Sequence, residues 1–205
     1  VAAGERALKN LALHYLCALP NEQNNWAAQQ YAQCNNMTDR MAALSSWVHL
    51  GEDAQPALAD FYTRFEREAL AIDKWFTVQA TRPASAPAYK GVEDIAELSR
   101  HSAFTLKNPN RARSVLGAMA MQNPSVFHSN NGEGYAFWAD CVIALNSINP
   151  QVAARMARAL DRWTKLIPTL QVLAQQQLER ILATDGLSTD VKEIIGKALA
   201  SDRQV

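Results

Sequence analysis

Apolar residues recur at three- and four-residue spacings from the first turns of this chain onward. Leu8, Leu11, Ala12, Tyr15, Leu16 and Leu19 fall on one face of a helix that Pro20 is expected to stop. Trp26 to Cys34 reads as a short second helix. Thr38 is the expected cap of a third, which carries Met41, Leu44 and Val48 and ends at Gly51. A fourth has Pro56 in its first turn and a stripe of Leu58, Phe61, Tyr62 and Phe65. The segment from Asp73 to Ala80 continues the helical reading, although Trp75, Phe76, Thr77 and Val78 would also suit a short strand.

The stretch from Arg82 to Gly91 holds Pro83, Pro87 and several small residues, which marks a loop between two layers of one domain. A helix built on Val92, Ile95 and Leu98 follows. Three Asn-Pro pairs come next: Asn108-Pro109, Asn123-Pro124 and Asn149-Pro150. In each, asparagine is expected to cap orphan amides while proline takes the first helical position, where its missing N–H costs nothing. The first and third pairs are spaced close to the period of about 40–47 residues of HEAT-type units. Further helices are expected over Tyr135 to Leu145, Val152 to Leu166 and Leu170 to Leu182. The last carries Val191, Ile194, Ile195, Ala198 and Leu199 after a stop at Asp185-Gly186. No segment is left to build a sheet. The pattern predicts an all-α fold, an α-α superhelix or HEAT-like solenoid of about 11–12 helices, with residues 1–205 forming a single helical-repeat domain.

Composition narrows the functions such a fold could serve. The apolar fraction of 48% is ample for a continuous core, and lysine plus arginine balances aspartate plus glutamate at 20 each. No global field would draw the chain to nucleic acid or to an anionic membrane, so binding has to come from local patches. Cys17, Cys34 and Cys141 are an odd number without C-x-x-C spacing, which speaks against a disulfide framework or a thiolate metal site and for a reducing cytoplasm. No apolar run approaches the roughly 18–20 residues of a membrane span, and the opening residues lack a signal-peptide core. A start at Val1 that runs almost directly into a helix suggests a piece of a longer polypeptide.

A complete active site is not legible. H-E-x-x-H, which sets two imidazoles and a base on one helix face, is absent. His14, His49, His101 and His128 are scattered and read as structural. Nucleophile elbows, phosphate-cradling glycine loops and dinucleotide fingerprints are missing as well. Cys17 and Cys141 sit in apolar helical patterns that favour buried, inert thiols, and Trp75, Trp138 and Trp163 sit in apolar stripes that favour core packing. The arginines say more. Arg111 and Arg113 follow Asn108-Pro109 in a first helical turn, where the dipole disfavours a cation unless something negative compensates it. Guanidinium forks beside free amides suit a carboxylate or phosphate; a salt bridge to a neighbouring helix is the competing reading. Arg155, Arg158 and Arg162 form a basic stripe after the third Asn-Pro pair.

Several unbroken strings resemble the C-terminal domain of the bacterial aminopeptidase N family, alanyl aminopeptidases of the gluzincin type. They are Asn35-Asn36-Met37-Thr38-Asp39 with Ala42-Ala43-Leu44-Ser45, then Asp73-Lys74-Trp75-Phe76 with Gln79-Ala80, then Phe104-Thr105-Leu106 before Asn108-Pro109-Asn110-Arg111. Asn123-Pro124, Phe127-His128, Gly134-Tyr135 and Leu145-Asn146-Ser147 follow, and last Asn149-Pro150-Gln151-Val152-Ala153 with Arg155. They keep their order over nearly the whole chain; the pattern fades around Leu50 to Ala71 and from Trp163 onward. The resemblance implies a parent with an N-terminal β domain, a thermolysin-like zinc domain, a small β-sandwich and a C-terminal helical superhelix, of which this chain is most of the last part. The Zn2+ would belong to the upstream catalytic domain and none to this fragment. The helical domain would close the substrate chamber and limit access to peptides. Arg113, Gln151 and Arg155, with Arg111 nearby, would then contact the backbone or C-terminal carboxylate of a short peptide.

The expected partners are therefore the upstream catalytic and β domains and peptide substrates, with neither nucleic acid nor membrane. Apolar surface left bare by the missing domains would make a homodimer of the isolated fragment. An independent helical-repeat adaptor that binds partner peptides is the alternative, and a nucleic-acid-binding repeat using the arginine stripe is weakened by the zero net charge.

Overall fold

The computed structural model describes residues 2–19, 25–50 and 53–200. Every regular element among them is helical, and the chain separates into two compact units, residues 1–90 and 91–205.

Unit one contains α1 (Ala2–Cys17), α2 (Trp26–Gln33), α3 (Met37–Leu50), α4 (Gln55–Phe65) and α5 (Ala69–Ala80). The ambiguous segment around Trp75 is helical because its large side chains pack on two neighbouring helices. Ile72 and Phe76 are buried, and the Trp75 indole donates to the Leu58 carbonyl at 2.9 Å. The cap of α3 differs from expectation. Asn36 accepts the Asp39 amide at 2.9 Å, so the helix starts before Thr38, the residue expected to cap it. The expected stops at Pro20 and Gly51 lie outside the described residues. His49 is structural: its Nε2 lies 3.0 Å from the Val78 carbonyl and 3.1 Å from Thr81 Oγ1, tying the end of α3 to the end of α5.

α1 attaches in an unusual way. It packs on α2 and α3, yet its one buried residue is Leu13. A polar network joins it to buried Asp39, which accepts Lys9 Nζ at 2.6 Å and Asn10 Nδ2 at 3.0 Å, while Gln30 donates to Asn10 at 2.8 Å. Most of the apolar stripe that defines the helix in the sequence is left uncovered: Leu8 is 70% exposed, Tyr15 67%, and Leu11, Leu16 and Leu19 are exposed as well, with Ala12 and Leu16 bordering an open groove beside Trp26 of α2.

The loop that closes unit one is stapled by its own residues. Arg82 donates to the Pro87 carbonyl at 2.6 Å and lies over the Tyr89 ring at 5.3 Å. Between them Ala88 takes φ 55°, a left-handed value that a non-glycine residue adopts at a cost.

Unit two contains α6 (Val92–Leu98), α7 (Pro109–Ala112), a π turn (Arg113–Gly117) and α8 (Ala118–Gln122). α9 (Pro124–Phe127), α10 (Glu133–Ile148), α11 (Pro150–Ala157), α12 (Pro168–Leu182) and α13 (Thr189–Ala200) follow. α7, the π turn and α8 run on as one helix. Two of the three Asn-Pro pairs behave as expected: Asn108 accepts from the amides of Asn110 and Arg111, and Asn149 from that of Val152. The third differs. Asn123 is buried, and its side-chain oxygen accepts the Ser125 hydroxyl at 2.8 Å.

The helix expected from Val152 to Leu166 also ends early. α11 stops at Ala157 and gives way to 3-10 turns at Arg158–Leu160 and Trp163–Lys165. The irregular stretch lets the buried Trp163 donate to the Ala198 carbonyl of α13 at 2.9 Å. Trp138 of α10 likewise donates to the Met156 carbonyl of α11 at 2.9 Å. Phe127, Tyr135 and Trp138 meet edge-on around it, with ring centroids 5.1 and 6.3 Å apart. Gly134 makes this packing possible, since a Cβ there would stand 2.4 Å from the Phe127 carbonyl oxygen.

Candidate functional site

α11 is the element on which the candidate residues are best displayed. Asn149 and Pro150 fix its start, and Val152, Ala153, Met156 and Ala157 bury its inner face. Gln151, Arg155 and Arg158 are thereby set on the outer face at i, i+4 and i+7, one above the other. They form one wall of an open groove of about 790 Å³. Asp190, Glu193, Ile194, Lys197 and Ala198 of α13 form the other, while Ala154 of α11 and Asp161 complete the lining.

Most charges in the groove are matched locally. Arg158 holds Asp161 at 3.0 Å, and Lys197 is bonded to Glu193 one turn away. Among the described residues Gln151, Arg155 and Asp190 make no side-chain hydrogen bond or ion pair. A free guanidinium one turn from a free carboxamide can take a carboxylate in its fork while the amide bonds a peptide unit alongside.

The other two expected residues stand elsewhere. Arg113 is exposed on the π turn, and its guanidinium folds back on its own helix, donating to the Pro109 carbonyl at 3.2 Å and to Asn110. It does not line the groove. The two helices do meet nearby, since a Cβ at Gly117 would lie 3.5 Å from Met156 Cε. Arg111 is buried and donates to the Ala103 carbonyl, and the amides of residues 110 and 111 are occupied by the Asn108 cap. The structure thus brings Gln151 and Arg155 together and leaves Arg111 and Arg113 apart from them. It adds the α13 wall, which sequence reasoning missed. Asp190, Glu193 and Lys197 share a helix face by spacing, but periodicity does not say which neighbour that face meets.

The remaining reactive groups have structural roles. Burial pushes the Cys141 thiol up to about 12, which keeps it protonated, and raises the Cys17 thiol as well. His128 Nδ1 lies 2.7 Å from the buried Tyr135 hydroxyl, and His101 Nδ1 accepts the Ala103 amide at 3.1 Å. Burial lowers the pKa of His49, His101 and His128 alike. Among the described residues no group of three or more histidine, cysteine, aspartate or glutamate side chains is placed to hold a metal ion. No described helix is long and apolar enough to cross a membrane.

An all-α array of capped helices with an open, charge-lined groove defines the class: a helical-repeat domain. Residues 1–200 match the family described as "Domain of unknown function (DUF3458_C) ARM repeats", and the chain belongs to that family. It is 41% identical over 195 residues to aminopeptidase N of Haemophilus influenzae, covering 95% of this chain and 22% of that protein. Aminopeptidase N of Escherichia coli is 37% identical over 198 residues, covering 96% and 22%. Among solved structures, Legionella pneumophila aminopeptidase A in complex with aspartic acid matches with a TM-score of 0.88 and 32% identity, covering 98% of this chain and 23% of that one. The chain therefore corresponds to a C-terminal domain of the aminopeptidase N type, and spans under a quarter of the length of these relatives.

Proposed function

We propose that this chain is the C-terminal helical module of a zinc-dependent aminopeptidase that removes N-terminal residues from peptides in the cytoplasm. In this reading the module is inactive alone. Zinc and the catalytic groups belong to the catalytic domain of the longer protein, where the metal would activate water. The module closes the substrate chamber and limits which peptides enter. Its partners are the rest of its own chain and the peptide substrate. The outward apolar stripe of α1 supports packing against another domain of that chain, and in the isolated chain self-association through the same face.

The observation that carries the role in substrate binding is the free pair Gln151 and Arg155 on the open face of α11. Arg155 takes the C-terminal carboxylate of a short peptide and Gln151 the adjoining backbone. Arg113 contributes from the neighbouring helix once released from Asn110, whereas Arg111 supports the turn that carries it. In the full-length protein, Arg155→Ala is expected to lower kcat/KM for di- and tripeptides by about fivefold, the scale of one solvent-exposed charge contact. Longer peptides, whose carboxylates lie beyond the groove, are expected to be unaffected. Unchanged kcat/KM for every short peptide would remove the assignment. The adaptor reading uses the same groove, and is favoured instead if the full-length protein binds peptides with equal affinity whether or not their C-termini are amidated.

A further inference from the structure

The α11–α13 groove carries unmatched charges of opposite sign on opposite walls. Once Arg158 with Asp161 and Lys197 with Glu193 are set aside as local pairs, Arg155 on α11 and Asp190 on α13 remain. They do not pair with each other, and neither bonds to any other side chain among the described residues. Asp190 lies in the first turn of α13, on the wall that faces Arg155 across the groove. Ile194 and Ala154 supply apolar surface in the same groove. A free guanidinium, a free carboxylate and an aliphatic strip are the complement of a basic residue that ends in a free carboxylate.

We propose that the groove is selective for peptides whose C-terminal residue is lysine or arginine. Arg155 binds the terminal carboxylate, Asp190 binds the cationic head of the last side chain, and the methylene stem of that side chain lies along Ile194. Asp190 is then a specificity-determining residue of the substrate wall. The inference rests on the reading of this groove as part of the substrate chamber.

The test uses the full-length protein and four tripeptides, Ala-Ala-Lys and Ala-Ala-Ala, each as free acid and as C-terminal amide, with Ala-Ala-Asp added for the charge-reversed variant. Asp190→Asn is expected to lower kcat/KM about threefold for Ala-Ala-Lys and to leave Ala-Ala-Ala unchanged, as befits an exposed ion pair. Asp190→Lys should turn the preference toward a tripeptide ending in aspartate, an inversion that a structural role for Asp190 would not produce. Arg155→Gln should weaken both free acids and neither amide. Equal effects of Asp190→Asn on both tripeptides, or none on either, overturn the selectivity; if Arg155→Gln still separates acids from amides, the carboxylate site survives. Loss of that separation overturns both, as does a full-length protein that cleaves none of the four.

Discussion

α1 and α11 are both amphipathic, and they use that property in opposite senses. α11 buries Val152, Ala153, Met156 and Ala157 and turns Gln151 and Arg155 outward. α1 turns Leu8, Leu11, Tyr15, Leu16 and Leu19 outward and is held to its unit by Lys9, Asn10 and Asp39. The burial of a side chain such as Val or Leu is worth about 1.5–3 kcal/mol, whereas a net hydrogen bond contributes about 1 kcal/mol. α11 is therefore anchored mainly by packing and α1 mainly by a few charge-assisted bonds. Periodicity identifies a helix with two faces; only the tertiary environment decides which face is covered.

The contrast can be broken most forcefully at α11. Trp138→Ala removes a buried indole and takes one of its two donors from the Met156 carbonyl, which keeps the Arg158 amide. It is expected to cost about 3–5 kcal/mol, measured by denaturant unfolding of the isolated chain. An unchanged unfolding midpoint would refute the packing account of α11.

At α1 the decisive change is electrostatic and smaller. The hydrogen bond from Lys9, helped by those from Asn36 and Asn10, holds the Asp39 carboxyl below its usual range. A depressed folded value means the stabilisation is complete above the unfolded carboxylate pKa of about 3.9. It is lost as pH falls through the lower folded value. Acid titration should therefore free α1 at low pH, seen as loss of amide protection in residues 2–17, and Asp39→Asn should abolish that step while loosening α1 by about 1–2 kcal/mol at neutral pH. The smallest effect sharpens the contrast. Leu11→Ser with Tyr15→Ser should change the stability of the isolated chain by less than about 0.5 kcal/mol and reduce its self-association in sedimentation experiments. A large loss of stability would mean that the stripe is covered within the chain.

Most helices were legible because their start signals are local. Asn108 and Asn149 cap, Pro56 occupies a first turn, and Gly186 takes a left-handed φ of 74° after α12. The misreadings share a cause in competition from tertiary contacts. Asn36 displaces Thr38 as a cap because its side chain also bonds Asp39, the residue that anchors α1. Asn123 is drawn into the interior, and α11 ends at Ala157 where Trp163 is needed under α13. The candidate site was half legible. Gln151 and Arg155 share a helix face by spacing alone, while their separation from Arg111 depends on Arg111 turning toward Ala103.

The bonds from indole to backbone carry a practical consequence. Trp75 reports on unit one, which also holds Trp26 and Trp47, and Trp138 and Trp163 report on unit two. Each buried indole sits in an apolar site with its N–H donated to a carbonyl of another helix, so its emission should shift to the red when that contact opens. Replacing Trp138 and Trp163 with phenylalanine would leave an optical signal from the first ninety residues alone. Replacing Trp26, Trp47 and Trp75 would leave one from the remainder, so the two halves of the chain can be watched melting as separate chromophores.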